Sequence, residues 1–229
     1  NTATPDLMQF LDLVALATIA DVVPLVNFNR AIVAQGLKVL GHRNRPGLVA
    51  LIDAANIKTQ PSSHHLGYLL APRINAAGRV SDAMLAINLF TATSEIDSKK
   101  IAQKLNELNC ERRLIENEAL NEALAQIKIN HIKTNCFVWV ASDRWHPGII
   151  GIVAARLKDK FQVPSIVFSV NKKGIAIGSA RSVPGIDIGF EVKKLVESGI
   201  VLSGGGHSMA AGLKITQSLL ADSMVKLRN

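Results

Sequence analysis

The sequence predicts an α/β protein with two lobes joined by a long helix, the second lobe built on a mixed sheet. Apolar residues make up 48% of the 229 residues, which is enough for one or two hydrophobic cores. No glycine or proline occurs between Gly78 and Pro147, so one long helix can run through this region. Beyond it, segments typical of strands and of helices alternate. The predicted boundaries are 1–95 for the first lobe, 96–130 for the connecting helix and 131–229 for the second lobe.

An apolar run opens the first lobe. Residues 7–20 are almost wholly apolar, and we expect a buried helix that runs into a short strand. Asp21 follows directly. A carboxylate beside a buried segment is costly unless it binds a metal or accepts hydrogen bonds, so Asp21 is a candidate metal ligand. Further helices are predicted at about Asn29–Leu40, from about Gly47 and at about Ala83–Leu89.

The connecting helix shows a helical apolar period. Apolar residues recur every three to four positions from Ile101 to Ile127, while charged residues such as Glu116 occupy the other faces. The apolar stripe is narrow. We therefore expect much of this helix to be exposed and to serve as a rigid connector.

The second lobe alternates strand and helix signals. Pro147 suits the first position of a helix, because the N–H that proline lacks has no partner there. Strands are predicted at Phe137–Ala141, Ser165–Ser169, Ile175–Ser179 and near Gly212–Ile215, with helices at Pro147–Phe161 and Ile188–Glu197.

Charge and cysteine usage narrow the function classes. The net charge of +8 and pI near 9.7 favour a polyanionic partner, with ordinary surface charge as the alternative. Cys110 and Cys136 form no CxxC pair and are expected to be reduced, buried thiols of a cytoplasmic protein. No apolar run reaches the roughly 18 residues of a membrane span, so no membrane partner is expected. The start, Asn1–Asp6, has neither Met nor a signal peptide and indicates a cut inside a longer protein.

Two segments of the second lobe could hold a phosphate through small residues and one basic group. Three successive glycines allow close approach of a ligand to the backbone, and His207 beside them can donate a hydrogen bond. A flexible turn is the alternative. Two residues apart on a strand, Ser179 and Arg181 share one side and could clamp a phosphate together with Ser182, although an ordinary surface arginine is also possible. The glycines are Gly204, Gly205 and Gly206.

Two further segments could contact a nucleic-acid backbone. His146 precedes a predicted helix start, where unpaired N–H groups and the helix dipole favour anions. Arg73, Asn75 and Arg79 stand among small residues in what is expected to be a tight loop. The alternatives are a helix-capping turn and an arginine that caps a neighbouring helix.

Metal ligands are sparse in the sequence. Two-metal hydrolysis needs several carboxylates or imidazoles around two ions. The chain has no Asp-x-Asp pair, and the pair His64-His65 follows serines, so we interpret it as surface or a helix start.

Taken together, five stretches resemble the RecJ-type exonucleases of the DHH phosphoesterase superfamily. They run from Leu13 to Leu25, from Pro72 to Arg79, from Trp145 to Arg156, from Gly178 to Ser182 and from Gly204 to Gly212. The resemblance covers nearly the whole chain, in the family's order. It implies the C-terminal part of a catalytic core, with part of a DHH lobe, a long helix and a DHHA1 domain that grips DNA.

The resemblance also implies roles for residues. Asp21 matches the last metal-ligand motif, and with His207 it is the catalytic candidate. Ser179 and Arg181 match residues that hold the 5′ phosphate. Arg73 and Arg79 match a second phosphate-contacting segment. Gly204 to His207 match the DHHA1 glycine signature at the active-site cleft.

The implied function is that of a 5′-to-3′ exodeoxyribonuclease for single-stranded DNA, acting in DNA repair and recombination with two Mn²⁺ or Mg²⁺ ions. Its expected partners are a DNA strand with a 5′ end and repair proteins such as single-strand-binding protein. The Asp-x-Asp and Asp-His-His motifs are absent, so we expect this chain alone to bind DNA without cleaving it. The alternative is a superfamily phosphodiesterase acting on short oligonucleotides, cyclic dinucleotides or pyrophosphate.

Overall fold

The chain divides into two compact units, Asn1–Glu111 and Arg112–Asn229. The computed structural model describes residues 6–130, 132 and 136–228. Residues 1–5, which carry the predicted cut, and His131, where the second lobe was expected to begin, lie outside the described residues. The division between the units falls inside the long helix, and the predicted lobe boundaries stay predictions.

The first unit is helical, and residues 6–111 contain no described strand. Its core gathers leucines from several helices, including Leu48, Leu51, Leu66 and Leu105, all buried. The elements are a 3₁₀ turn at Leu7–Phe10, α1 at Leu11–Ala20, α2 at Asn27–Gly41, α3 at Pro46–Ala54, a π-helix at His65–Leu70, α4 at Ala71–Val80, α5 at Met84–Thr91 and α6 at Glu95–Ile129, which continues into the second unit.

The apolar run at the start of this unit differs from the prediction. It forms the 3₁₀ turn and α1 without the expected strand, and in α1 only Asp12, Ala15 and Leu16 are buried. The buried carboxylate is therefore Asp12, which accepts a hydrogen bond from Arg45 Nε at 3.0 Å. Asp21 is exposed at the C-terminal cap of α1. Composition alone could not show which face of α1 packs against α2.

The predicted long helix is present as α6, and its role as a connector stays a prediction. Leu105, Ala119, Ala123 and Ile127 from the expected stripe are buried. Glu116 was expected on an outer face and is instead buried. Two arginines explain the difference, since Arg112 Nη1 lies 2.6 Å and Arg156 Nη2 3.2 Å from its carboxylate oxygens.

A five-stranded mixed sheet forms the centre of the second unit, which confirms the predicted fold class. Its order is β1-β2-β3-β5-β4, with β1 and β2 parallel and the other neighbours antiparallel. The strands are β1 Val138–Ser142, β2 Ser165–Val170, β3 Ile175–Arg181, β4 Ser203–His207 and β5 Ala210–Thr216; the helices that follow α6 are α7 Ile150–Phe161, α8 Ile188–Glu197 and α9 Leu220–Arg228.

Different helices pack on the two faces of this sheet. α8 packs against β4 and β5, and its Val192 and Leu195 join the buried residues of β2, β3 and β5. On the other face, α7 packs on β2 and β3. Alternation along β5 follows from this arrangement, because Ala211, Leu213 and Ile215 are buried under α8 while Gly212 and Lys214 are exposed.

Three local expectations need correction. The glycine run Ser203–His207 is a strand and not a turn, because β5 pairs with it along its whole length. Pro147 lies in a turn before α7, which begins at Ile150. The cysteines Cys110 and Cys136 are free thiols but exposed. No described helix is long and apolar enough to cross a membrane.

Candidate nucleic-acid interface

One face of the second unit's sheet brings the predicted phosphate-binding residues together. Directly paired residues of antiparallel strands point to the same side, so the register defines three rows across β3, β5 and β4. We call this surface the open face. Its rows are Arg181, Ala210 and His207; then Ser179, Gly212 and Gly205; then Ile177, Lys214 and Ser203.

The serine and arginine of β3 form one unit at the edge of α7. Arg181 Nη1 donates to Ser179 Oγ at 3.0 Å and to the carbonyl oxygen of Ala180 at 2.8 Å. Gly151, in the first turn of α7, lies directly against them. A β-carbon built there would be 2.9 Å from Arg181 Nη2 and 3.0 Å from Ser179 Oγ. Glycine at 151 therefore leaves the space that the guanidinium occupies.

His207 ends β4 in the same row as Arg181. The two backbones are separated by two strand spacings, about 10 Å, which leaves room for a phosphate between the side chains. The Met209 N–H donates to His207 Nδ1 at 3.3 Å, so the neutral ring carries its proton on Nε2. His207 is exposed, and Nε2 can donate to an anion.

His146 has the same arrangement in front of α7. The Gly148 N–H donates to its Nδ1 at 3.0 Å, which again makes Nε2 the donor of the neutral ring. The side chain is exposed. His146 thus stands three residues before Ile149, the N-terminal cap of the helix whose Gly151 contacts Arg181.

The glycines of β4 and β5 have different reasons to be glycine. A β-carbon on Gly204 would lie 2.7 Å from Val192 Cγ1, and one on Gly206 would lie 2.5 Å from Ala211 Cα, so packing requires both. Gly205 has nothing within 4 Å, and Gly212 has only a carbonyl oxygen at 3.9 Å. Those two are paired across the strands on the open face. Glycine inside a strand weakens it, and a position without a packing reason often marks close approach of a ligand.

Charge on these strands is wholly basic. Strands β3, β4 and β5 contain no aspartate or glutamate, and their charged residues are Arg181 and Lys214, both on the open face with His207. This basic strip is exposed along β4 and β5 and half-buried at β3 beside α7, and it has a bare backbone at its centre. Such a strip suits a polyanion with regularly spaced charges.

Three predicted site residues lie away from the open face. Ser182 is buried and donates through Oγ to the Ile186 carbonyl at 2.8 Å, so it closes a turn. A β-carbon at 204 would meet Val192 of α8, and one at 206 would meet Ala211, a buried residue of β5. Among the three glycines, Gly205 is the one that faces outward.

The predicted loop of the first unit is the helix α4. Arg73 is tied to its own unit, because Nε donates to Asn106 Oδ1 at 2.9 Å and Nη1 to the Leu69 carbonyl at 2.7 Å. Asn75 is exposed and Arg79 half-buried, and their spacing of four residues places them on one side of α4. The structure therefore separates Arg73 from the other two. The small residues around the arginines suggested a loop, but they form a helix, and Pro72 occupies its tolerated first turn.

The donor set of this chain does not fit a two-metal site. In the described ranges, no three His, Cys, Asp or Glu side chains are grouped closely enough to hold a metal. Asp21 is exposed and could supply one carboxylate oxygen. His64 stacks on Tyr68 at 4.8 Å between ring centroids, and His65 Nδ1 accepts from the Ser62 N–H. Among the described residues, neither histidine belongs to a three-ligand group with Asp21.

Residues that sequence reasoning did not select also line the interface. Gly151, Gly212 and Lys214 belong to the open face or contact it directly. The available signal was the period of two in β5, which places Ala210, Gly212 and Lys214 on the polar side. Only the register of β3 with β5 shows that this side is also the side of Arg181.

The chain is similar to proteins of a known family. The model of the DHHA1 domain family matches residues 133–228. The chain is 37% identical over 222 residues to the single-stranded-DNA-specific exonuclease RecJ of Dickeya dadantii, covering 94% of this chain and 38% of that protein. The corresponding protein of Bacillus subtilis is 38% identical over 224 residues, with 96% and 28% covered.

A solved structure shows the same fold. The RecJ of Thermus thermophilus in complex with Mn²⁺ matches with a TM-score of 0.86 and 29% identity, over 98% of this chain and 33% of that one. The same protein has been solved with Mg²⁺. The chain thus spans less than two fifths of the length of these relatives. The resemblance predicted from the five sequence stretches is confirmed: this chain contains a DHHA1 domain and belongs to the RecJ-type exonuclease family.

Proposed function

We propose that this chain grips the backbone of a single DNA strand on its open face, as one part of an exonuclease that removes nucleotides from the 5′ end. The observation that carries the proposal is the pair Gly205 and Gly212. Both have room for a side chain and lack one, and they lie beside the row of Arg181 and His207. A strand of nucleotides could approach this bare backbone while its phosphate meets the basic row.

The 5′ end is assigned to the pair Ser179 and Arg181. A terminal phosphate monoester carries more charge than an internal phosphodiester, and a guanidinium fixed by a hydroxyl suits it. His207 and His146 would donate through Nε2 to neighbouring oxygens. In the first unit, Asn75 and Arg79 are proposed to contact the strand elsewhere, whereas the contacts of Arg73 favour a structural role.

Hydrolysis is proposed for the whole protein and not for this chain alone. The related structures were solved with Mn²⁺ or Mg²⁺, and such ions would supply an activated water and charge stabilisation. The described donors offer Asp21 and no group of three ligands. We therefore propose that Asp21 is one ligand among others that this chain does not provide, and that the chain alone binds without cleaving.

The cellular setting is also a proposal. An exonuclease specific for single strands acts on intermediates of DNA repair and recombination, in the cytoplasm of a bacterium. Single-strand-binding proteins coat the same substrate, which makes them the expected protein partners.

The first test replaces Arg181 with Ala and compares two strands of equal sequence, one with a 5′ phosphate and one with a 5′ hydroxyl. We expect the affinity for the phosphorylated strand to fall roughly fivefold or more, because a charge-assisted contact is lost, and the affinity for the hydroxyl strand to fall less. Fluorescence anisotropy of labelled strands measures both.

The control is Arg113→Ala, which removes the same charge from an exposed position on α6. It should lower the affinity for both DNA strands slightly and by the same factor. Equal losses for both strands in the Arg181 variant would contradict the assignment of the 5′ phosphate.

A further inference from the structure

The third row of the open face contains a lysine that none of the roles above uses. Lys214 is exposed on β5, paired with Ile177 of β3 and with Ser203 of β4. It lies on the same side as Arg181 and His207, because its position differs from Ala210 by four residues along a strand. Ser203 is also exposed and adds a hydroxyl donor to this row.

The basic rows are far enough apart to contact two different phosphates of one strand. The rows of Arg181 and of Lys214 are four residues apart, so their backbones are separated by roughly 13 Å along the strand direction. The glycine row lies halfway. DNA has one phosphate per about 3.4 Å of axis in each stacked strand, and an extended strand has a longer repeat. The separation therefore corresponds to at most about four nucleotides, so the two rows can hold phosphates that lie a few linkages apart.

Nothing described around Lys214 neutralises it. The three strands carry no carboxylate, and the described residues show no ion pair for this lysine. Lys193 on α8 differs, because its Nζ lies 3.8 Å from Glu197 Oε1 on the covered side of the sheet. Lys214 thus lies on the exposed part of the open face.

We infer that Lys214 and Ser203 form a second phosphate subsite, which takes an internal phosphodiester a few linkages away from the group held by Arg181 and His207. The inference rests on the proposed function and extends it from one phosphate to two. A strand lying across the glycine row would place its terminal phosphate in the first row and an internal linkage in the third.

The test combines Lys214→Ala with a chemical change in the DNA. A 5′-phosphorylated oligonucleotide receives an uncharged methylphosphonate at one linkage at a time, and its affinity for the chain and for the variant is measured by anisotropy. We expect the variant to bind the unmodified strand roughly two- to fivefold more weakly, with a salt slope lower by about 0.7. At one linkage close to the 5′ end, the variant should show no further loss.

The control variant is Lys193→Ala, which removes an equal charge from the other side of the sheet and should show no such linkage dependence. If Lys214→Ala weakens binding equally whichever linkage is neutral, or does not weaken it, the second subsite is refuted while the role of Arg181 stands. If the Arg181 variant loses no affinity, or the chain binds no oligonucleotide, the proposed function fails together with this inference.

Discussion

At the scale of single residues, identical residue types serve different purposes within a few positions. Gly204 and Gly206 are glycine because Val192 and the backbone of β5 occupy the space of a side chain. Gly205 between them has open space. Glycine at 205 therefore lowers the stability of the strand. Its advantage is that a ligand can approach the backbone closely from outside.

Replacing Gly205 with Val tests this separation of stability from binding. Valine favours strands and meets no neighbour here, so the free energy of unfolding should stay equal or rise by up to about 1 kcal/mol. Affinity for single-stranded DNA should fall roughly tenfold, because the valine side chain keeps the DNA away from the backbone of β4. Urea unfolding followed by tryptophan fluorescence and anisotropy binding measure the two effects.

The comparison variant is Gly204→Ala, whose β-carbon would lie 2.7 Å from Val192 Cγ1 and should lower stability. If Gly205→Val binds as well as the unchanged chain, the open face around this glycine does not contact DNA.

At the scale of secondary-structure elements, a buried acid holds α6 to α7. Glu116 accepts from Arg112 of its own helix and from Arg156 of α7. Its side chain is 4% exposed and that of Arg112 12%, so solvent screens this pair little, whereas Arg156 at 60% is well screened. Through α7 the contact also fixes Gly151, which adjoins Arg181.

Replacing Glu116 with Gln should destabilise the second unit by about 3 kcal/mol, because Arg112 would remain buried beside a neutral group. Both tryptophans, Trp139 and Trp145, belong to this unit, so their fluorescence during urea unfolding reports it. The control Glu118→Gln removes an exposed charge from the same helix and should change stability by less than about 0.5 kcal/mol. A change no larger than that of the control would show that the buried pair contributes little.

At the scale of the whole molecule, we propose that this chain holds the DNA and that the metal ligands of the reaction come largely from other parts of the whole protein. The chain carries a net charge of +8, and its described residues offer no group of three metal ligands.

Incubation of the chain with labelled single strands and Mn²⁺ should therefore give salt-sensitive binding and no cleavage. About three phosphate contacts predict a slope of roughly −2 for the logarithm of affinity against the logarithm of salt concentration. Gel electrophoresis of the strands detects cleavage. The Asp21→Asn variant serves as control. If the unchanged chain cleaves the strands and this variant does not, the chain is catalytic on its own and the prediction is wrong.

Much of the fold could be predicted from local pattern. The absence of glycine and proline and the three-to-four-residue period defined α6 closely, and Ile188–Glu197 was predicted to the residue. The strands β1, β2 and β3 were placed within two residues at each end. These elements have apolar periods or β-branched runs, which are properties of the chain itself.

The sequence by itself determined the family resemblance, the α/β class and the pairing of Ser179 with Arg181, because these depend on neighbours along the chain. Tertiary structure alone decided that the glycine run is a strand and that Gly205 faces outward while Ser182 is buried. It also decided that Asp12 rather than Asp21 is the buried acid of the first helix, and that Arg73 lies on another side of α4 than Asn75 and Arg79. A strand of glycines has no apolar alternation to reveal its faces. Its orientation comes from the register with β5 and from the side on which α8 packs, and both are contacts between residues far apart in the chain.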